Sequence, residues 1–167
     1  DNIYFQELER IKSTMIKQNN DISASSSSSI DNNDINVIER LLFHGTSSID
    51  PMKIINNPNS FMKDYSNQGF YGKGLYFAEL ARYSNNGYRY SVPQTNNQYQ
   101  LLVCSVICGK SKEYETQVDE YTEEISQKKL VEEGCHSVHA GPHQPGEVGP
   151  GDDDSCMYIV YNDTQVS

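Results

Sequence analysis

The eight residues Leu101-Leu102-Val103-Cys104-Ser105-Val106-Ile107-Cys108 carry one polar side chain and stop at Gly109. A run this short and this apolar reads as the clearest buried strand of the chain. It commits the chain to a sheet with a covered core. Arg40-Leu41-Leu42-Phe43 reads as a second buried strand, and Met157-Tyr158-Ile159-Val160-Tyr161 as a last one. The helices between them are short. Asp50-Pro51 supplies an N-cap carboxylate and a first-position proline, and Asn56-Asn57-Pro58 ends the helix they start. A second short helix is predicted from about Glu79 to Asn86. A longer one covers about residues 4–18, where Tyr4, Leu8, Ile11 and Met15 recur at spacings of four, three and four. Four or more strands with only short helices predict an α+β fold rather than βαβ repeats.

The 167 residues fit one domain. Thirteen Lys and Arg against 23 Asp and Glu leave a net charge of −10. That surface repels phosphate backbones, so nucleic acid is an unfavourable partner. No apolar run approaches the roughly 20 residues needed to cross a bilayer, and residues 1–6 lack a signal-peptide pattern. Cys104, Cys108, Cys135 and Cys156 are too few and too irregular for a disulfide framework. They read as reduced thiols of an intracellular protein, nuclear or cytoplasmic. Residues 19–36, with the serine run Ser25 to Ser29, read as a flexible insert. Residues 112–133, with eight acidic residues against three lysines, read as an acidic insert.

Three motifs could carry chemistry. His44-Gly45-Thr46 follows a buried strand directly, which places an imidazole at the rim of the sheet. The glycine lets a planar ligand approach the backbone. Gly72-Lys73-Gly74-Leu75-Tyr76-Phe77-Ala78 lacks the Gly-Lys-Ser/Thr of a Walker loop and the pattern of a dinucleotide fingerprint. It reads instead as a tight turn that presents Tyr76 beside a cleft. Ser84 and Tyr88, at a helix C-terminus, could aim a hydroxyl and a ring into one pocket. Each motif alone is also compatible with ordinary turns and packing.

The ordered combination is specific. Arg-Leu-Leu-Phe-His-Gly-Thr, Tyr-Gly-Lys-Gly-Leu-Tyr-Phe-Ala, a Tyr-Ser with a spaced Tyr, a strand ending Cys-Gly-Lys, Ser137-Val138, and Cys-Met-Tyr-Ile-Val-Tyr follow one another. From about Glu39 to Val166 this resembles the catalytic domain of the poly(ADP-ribose) polymerase superfamily, the diphtheria-toxin-like ADP-ribosyltransferases. The resemblance implies a split antiparallel sheet around a cleft that takes NAD as substrate. It places His44 on a ribose hydroxyl of the adenosine side and Tyr76 against the nicotinamide ring. It gives the carboxamide clamp to the backbone of Gly45 and the hydroxyl of Ser84. Tyr88 becomes the second stacking ring, and Thr46 lies near the adenine-side ribose. It also implies a further short strand after Tyr161, so that the chain is expected to be a trimmed domain.

The third position of the family's His–Tyr–Glu triad is Met157 here. A thioether neither accepts strongly from a ribose hydroxyl nor stabilises a developing cation. The resemblance therefore implies a mono-ADP-ribosyltransferase that modifies protein acceptors, with a catalytically inactive NAD- or ADP-ribose-binding module as the alternative. Rescue of the missing acid by Asp152, Asp153 or Asp154 is not expected, because Gly149-Pro150-Gly151 makes that stretch a loop. Glu120, Glu123 and Glu124 are candidate self-modification sites. Cys135, His136, His139 and His143 could supply zinc ligands, but their spacing does not complete a four-ligand site, and no metal is expected.

Overall fold

The computed structural model describes residues 3–23, 38–58, 61–66, 68–114, 125–141 and 156–167. Strands β1 (Glu39–His44), β2 (Leu75–Ala78), β5 (Leu102–Ile107), β6 (Ser111–Tyr114), β7 (Ser137–Ala140) and β8 (Met157–Val160) form one sheet in the order β5-β1-β2-β8-β7-β6. Strands β3 (Tyr90–Ser91) and β4 (Tyr99–Gln100) make a separate two-stranded ribbon. Helices α1 (Ile3–Ser23), α2 (Pro51–Ile55), α3 (Ala81–Asn85) and α4 (Gln127–Glu132) complete the α+β fold.

Register explains where the sheet opens. β1 pairs with β5 from Glu39↔Ile107 to His44↔Leu102, and β2 pairs with β8 from Leu75↔Val160 to Ala78↔Met157. β1 and β2 share a single pair, Phe43↔Ala78. Beyond that pair the two halves part, and the split lies between His44 and the body of β2. These pairings are antiparallel, as is β7–β8, but β6–β7 is parallel. The expected antiparallel cleft is present, and the outer edge of the sheet makes it mixed.

Strand alternation sends β8 into two cores. Tyr158 and Val160 join Leu42, Leu75, Phe77, Cys104, Val106 and Cys108 on one face. Met157 and Ile159 join Tyr71, Val138, Ala140 and Tyr161 on the other. A central strand covered on both faces requires the unbroken apolar run seen in the sequence. Each such side chain contributes about 1.5–3 kcal/mol on burial. Cys104 and Cys108 share one core, as their spacing predicts.

α1 lays Tyr4, Leu8 and Ile11 on Ile38 and Ile107, with Met15 alongside. The predicted apolar face is correct, but the helix runs to Ser23, past the expected end at 18. Residues 19–23 are thus helix rather than insert. Propagating a helix already nucleated on a packed face is cheap, even through Asn and Asp. Residues 24–37 lie outside the described residues.

The 112–133 segment is likewise not all insert. Its start is β6, and its end is α4, where the Ser126 hydroxyl accepts from Lys129 N at 3.4 Å and Leu130 is buried. The charge count hid a parallel edge strand and a capped helix. Residues 115–124, including the proposed acceptor glutamates, and residues 142–155, including Asp152–Asp154 and His143, lie outside the described residues. After β8, Val166 bridges Val106, and Ser105 and Ser167 exchange two backbone hydrogen bonds along the edge of β5. Among the described residues no helix is long and apolar enough to cross a membrane.

Candidate active site

A cavity of about 800 Å³ occupies the opening between β1 and β2. His44, Gly45, Thr46, Tyr76, Ser84, Tyr88 and Met157 all line it. That volume lies within the range of about 300–1,000 Å³ usual for ligand sites. His44 shares a face with Leu42 and Phe77, whereas Tyr76 belongs to the opposite face. Only the split lets one cavity reach both.

His44 is fixed by its ring contacts and one hydrogen bond. Its imidazole packs edge-on to Phe61 at 5.1 Å and tilted against Phe77 at 5.3 Å. Nδ1 lies 2.8 Å from the backbone oxygen of Tyr76. A carbonyl only accepts, so Nδ1 carries the proton and donates. Burial lowers the His44 pKa below 6.5, and the Tyr76 carbonyl opposes this more weakly. The ring is therefore neutral near pH 7, with a lone pair on Nε2. That nitrogen can accept from a sugar hydroxyl.

Tyr76 thus orients His44 through its backbone, while its own ring is held by the preceding turn. The Tyr76 hydroxyl accepts from Tyr71 N at 3.0 Å and donates to Gly72 O at 2.8 Å. Gly69 and Gly72 close the turn with two backbone hydrogen bonds. A Cβ on Gly69 would stand 2.4 Å from the Tyr76 hydroxyl oxygen, so the turn needs glycine there to admit the phenol.

Gly45 has a similar steric reason. A Cβ would lie 2.4 Å from the backbone oxygen of Tyr88 and 2.5 Å from its Cβ. Ser47 N donates to that same oxygen at 2.7 Å. The close approach that the sequence reserves for a ligand is therefore shared with the chain leaving α3, which brings Tyr88 to the cavity mouth. The Tyr88 ring is nearly half exposed and sits 5.9 Å from Tyr83. Burial holds the Tyr83 phenol well above its usual pKa, so it stays neutral.

Ser84 is buried on α3, and its hydroxyl donates to Phe43 O at 3.2 Å. That bond is long, and turning the hydroxyl toward a ligand amide forfeits about 0.5–1.5 kcal/mol. The Thr46 hydroxyl donates to Ile49 O at 2.5 Å, closing the turn before α2. It reaches a ligand only as an acceptor. Met157 is buried opposite Ala78 and Ala140, at the inner wall.

Sequence reasoning missed Phe61, which braces His44, and Lys53, the one lysine or arginine among the described lining residues. No Asp or Glu stands among those lining residues. Nothing in the spacing marked Phe61. Lys53 was legible as a member of the Asp50-capped helix, whose cap is present as Met52 N donating to Asp50 Oδ1 at 2.9 Å. Cys135, His136 and His139, weighed in the sequence as zinc ligands, do not converge among the described residues. Cys135 turns into the core, and Lys110 N donates to the His136 Nδ1 at 3.2 Å. His139 lies elsewhere, beside Glu113 and Glu79.

The opening of the split sheet thus brings a neutral histidine, a braced tyrosine and the backbone of Gly45 to one cavity. The family model for the poly(ADP-ribose) polymerase catalytic domain matches residues 2–167. The chain belongs to that family. It is also 40% identical over 77 residues to a Dictyostelium discoideum protein described as a probable poly [ADP-ribose] polymerase. That match covers 46% of this chain and 23% of the relative, so the chain corresponds to a fraction of that protein's length.

Proposed function

We propose that the chain transfers single ADP-ribose units from NAD to side chains of protein acceptors, releasing nicotinamide. The observation that supports this reading is the convergence of His44, Gly45, Tyr76 and Ser84 on one cavity whose inner wall presents the Met157 thioether. His44 Nε2 accepts from a ribose hydroxyl of the adenosine side. The carboxamide sits on the Gly45 backbone and the Ser84 hydroxyl, and the ring lies between Tyr76 and Tyr88. Lys53 faces the pyrophosphate, whose negative charge has no other lysine or arginine among the described lining residues.

The chemistry follows from charge. The nicotinamide of NAD is cationic while bound to ribose. Cleavage of the glycosidic bond sends the bonding pair to the ring nitrogen, and a neutral amide departs. The sugar passes through an oxocarbenium-like state. Locking the carboxamide fixes the trajectory of attack before the bond breaks. With methionine at 157, no side chain there orients an acceptor ribose or offsets the cation. An acceptor carboxylate brings its own charge and closes the new bond to the sugar carbon. A second ADP-ribose, whose acceptor is a neutral hydroxyl, lacks that help, so growth stops at one unit.

The same methionine also suits a module that binds NAD or ADP-ribose without turnover. Incubation of the chain with NAD separates the readings. Stoichiometric nicotinamide release with acceptors carrying single units supports transfer. Saturable NAD binding without release supports the module, and polymer refutes both.

A further inference from the structure

The face of the sheet turned away from Met157 gathers a second set of reactive side chains. Register places Glu113 opposite His139, His139 opposite Tyr158, and Tyr158 opposite Phe77. Cys156 lies two residues before Tyr158 and Glu79 two after Phe77, so strand alternation puts both on that same face. Glu79 N donates to Cys156 O at 3.1 Å, which continues the β2–β8 pairing to this point.

We propose that Glu79, His139 and Cys156 form a binding site for a borderline-soft divalent cation, zinc being the type. One carboxylate oxygen, one imidazole nitrogen and the Cys156 sulfur lie within 4.8 Å of one another. His139 is prepared for ligation. Its Nδ1 is 2.5 Å from Glu113 Oε2, and its ring stacks on Tyr158 at 4.4 Å. A carboxylate at Nδ1 makes that nitrogen the donor, which leaves the lone pair on Nε2. A carboxylate behind a ligating histidine is the usual outer partner of a zinc site.

Nε2 is buried and, among the described residues, has no hydrogen-bond partner. It faces Glu79 Oε1 at 3.8 Å, too far for a hydrogen bond. An imidazole lone pair, a carboxylate and a sulfur therefore converge, and a cation reconciles them. Bonds of about 2.0–2.3 Å in a tetrahedral site hold ligand atoms roughly 3.3–3.8 Å apart. The three atoms need close by only about an ångström.

Charge and donor type agree with this. Arg40 Nη1 is 3.6 Å from Glu79 Oε1, and its guanidinium lies over the Tyr158 ring at 4.8 Å. With Arg40 beside them, two carboxylates, a thiolate and a divalent ion leave the group neutral. Nitrogen and sulfur donors select zinc over magnesium or calcium. The three residues are partly exposed, so water completes the shell. Binding expels the Cys156 thiol proton, so affinity rises with pH. The ion would tie the end of β2 and β7 to the start of β8, one residue before Met157. The site does not depend on the reading of the cavity.

The test is titration of the chelator-stripped chain with zinc alone against a chromophoric chelator. One zinc per chain is expected. Glu79→Gln and Cys156→Ser should each weaken binding at least about tenfold, and Glu113→Gln by about 10–100-fold. Cys135→Ala should leave it unchanged. Each variant is compared with the stripped parent by circular dichroism and melting. Should Cys156→Ser fail to fold, alkylation of the unaltered chain decides: zinc must slow labelling of Cys156 at least about tenfold. Absence of stoichiometric zinc, equal affinity in Glu79→Gln and the parent, or labelling of Cys156 at one rate with and without zinc overturns the proposal.

Discussion

Gly45→Ala is the smallest change that tests how the cleft is built. The new methyl would stand 2.4–2.6 Å from the backbone oxygen, Cβ and carbonyl carbon of Tyr88. Ordinary contact begins near 3.4 Å, so Tyr88 and the chain leaving α3 must retreat by about 1 Å. Forced overpacking of this kind costs about 1–3 kcal/mol. The retreat also breaks the 2.7 Å bond from Ser47 N to Tyr88 O, worth about 1 kcal/mol. Stability should fall by about 2–4 kcal/mol in urea unfolding. Displacing a positioning group by about 1 Å can cost on the order of a hundredfold in rate, so kcat/KM for NAD should drop by about that factor in conditions where the variant is folded. Ser47→Ala keeps the donating backbone and should change neither quantity appreciably. Parental stability and turnover in Gly45→Ala would refute the close approach of Tyr88 to the sheet rim.

Burial lowers the His44 pKa below 6.5, so the folded chain takes up that proton less readily than the unfolded one. Its contribution to stability is complete above pH 6.5 and is lost as pH falls from 6.5 toward the folded pKa; the acid limb of kcat/KM for NAD should lie below 6.5, and a midpoint at or above 6.5 would contradict the neutral, buried ring. Lys53→Met should raise KM for NAD about three- to tenfold with kcat unchanged, an effect that shrinks in high salt because Lys53 is exposed; an unchanged KM removes it from the pyrophosphate. Met157→Glu should lower the melting temperature, because a carboxylate enters a wall with Ala78, Ala140 and Ile159, and should yield acceptors carrying more than one ADP-ribose by mass spectrometry. Products that stay single would free the methionine of blame for short products. Gly69→Ala should lower stability by about 1–3 kcal/mol, measured by urea unfolding, as its Cβ collides with the Tyr76 hydroxyl; parental stability would contradict that contact.

Apolar pattern carried much of the fold. The run at 157–161 was readable because a central strand must be apolar on both faces. The run at 101–108 instead forms β5 at the end of the sheet, where Val103 is exposed and Cys104, Val106 and Cys108 enter the core of one face. The spacing of Tyr4, Leu8, Ile11 and Met15 gave the covered face of α1. Charge was a poorer guide. Lys112 and Tyr114 belong to β6 and Leu130 to the core, yet their acidic neighbours read as solvent. Parallel pairing of β6 with β7 leaves no local trace, since its partner lies 26 residues on. Within the site, motif order identified His44, Gly45, Thr46, Tyr76, Ser84, Tyr88 and Met157, and the cavity gathers them all. Phe61 and Lys53 escaped because each enters through a loop or helix that alternation does not govern. The second reason for Gly45, the backbone of Tyr88, depends on a contact 43 residues away that no local pattern encodes.

The central claim is that the opening between β1 and β2 grips a pyridine carboxamide. A crystal structure of the chain soaked with benzamide tests it most directly. The account predicts the amide on the Gly45 backbone and the Ser84 hydroxyl, with the ring between Tyr76 and Tyr88. Benzamide bound at another place, or absent at saturating concentration, would contradict it.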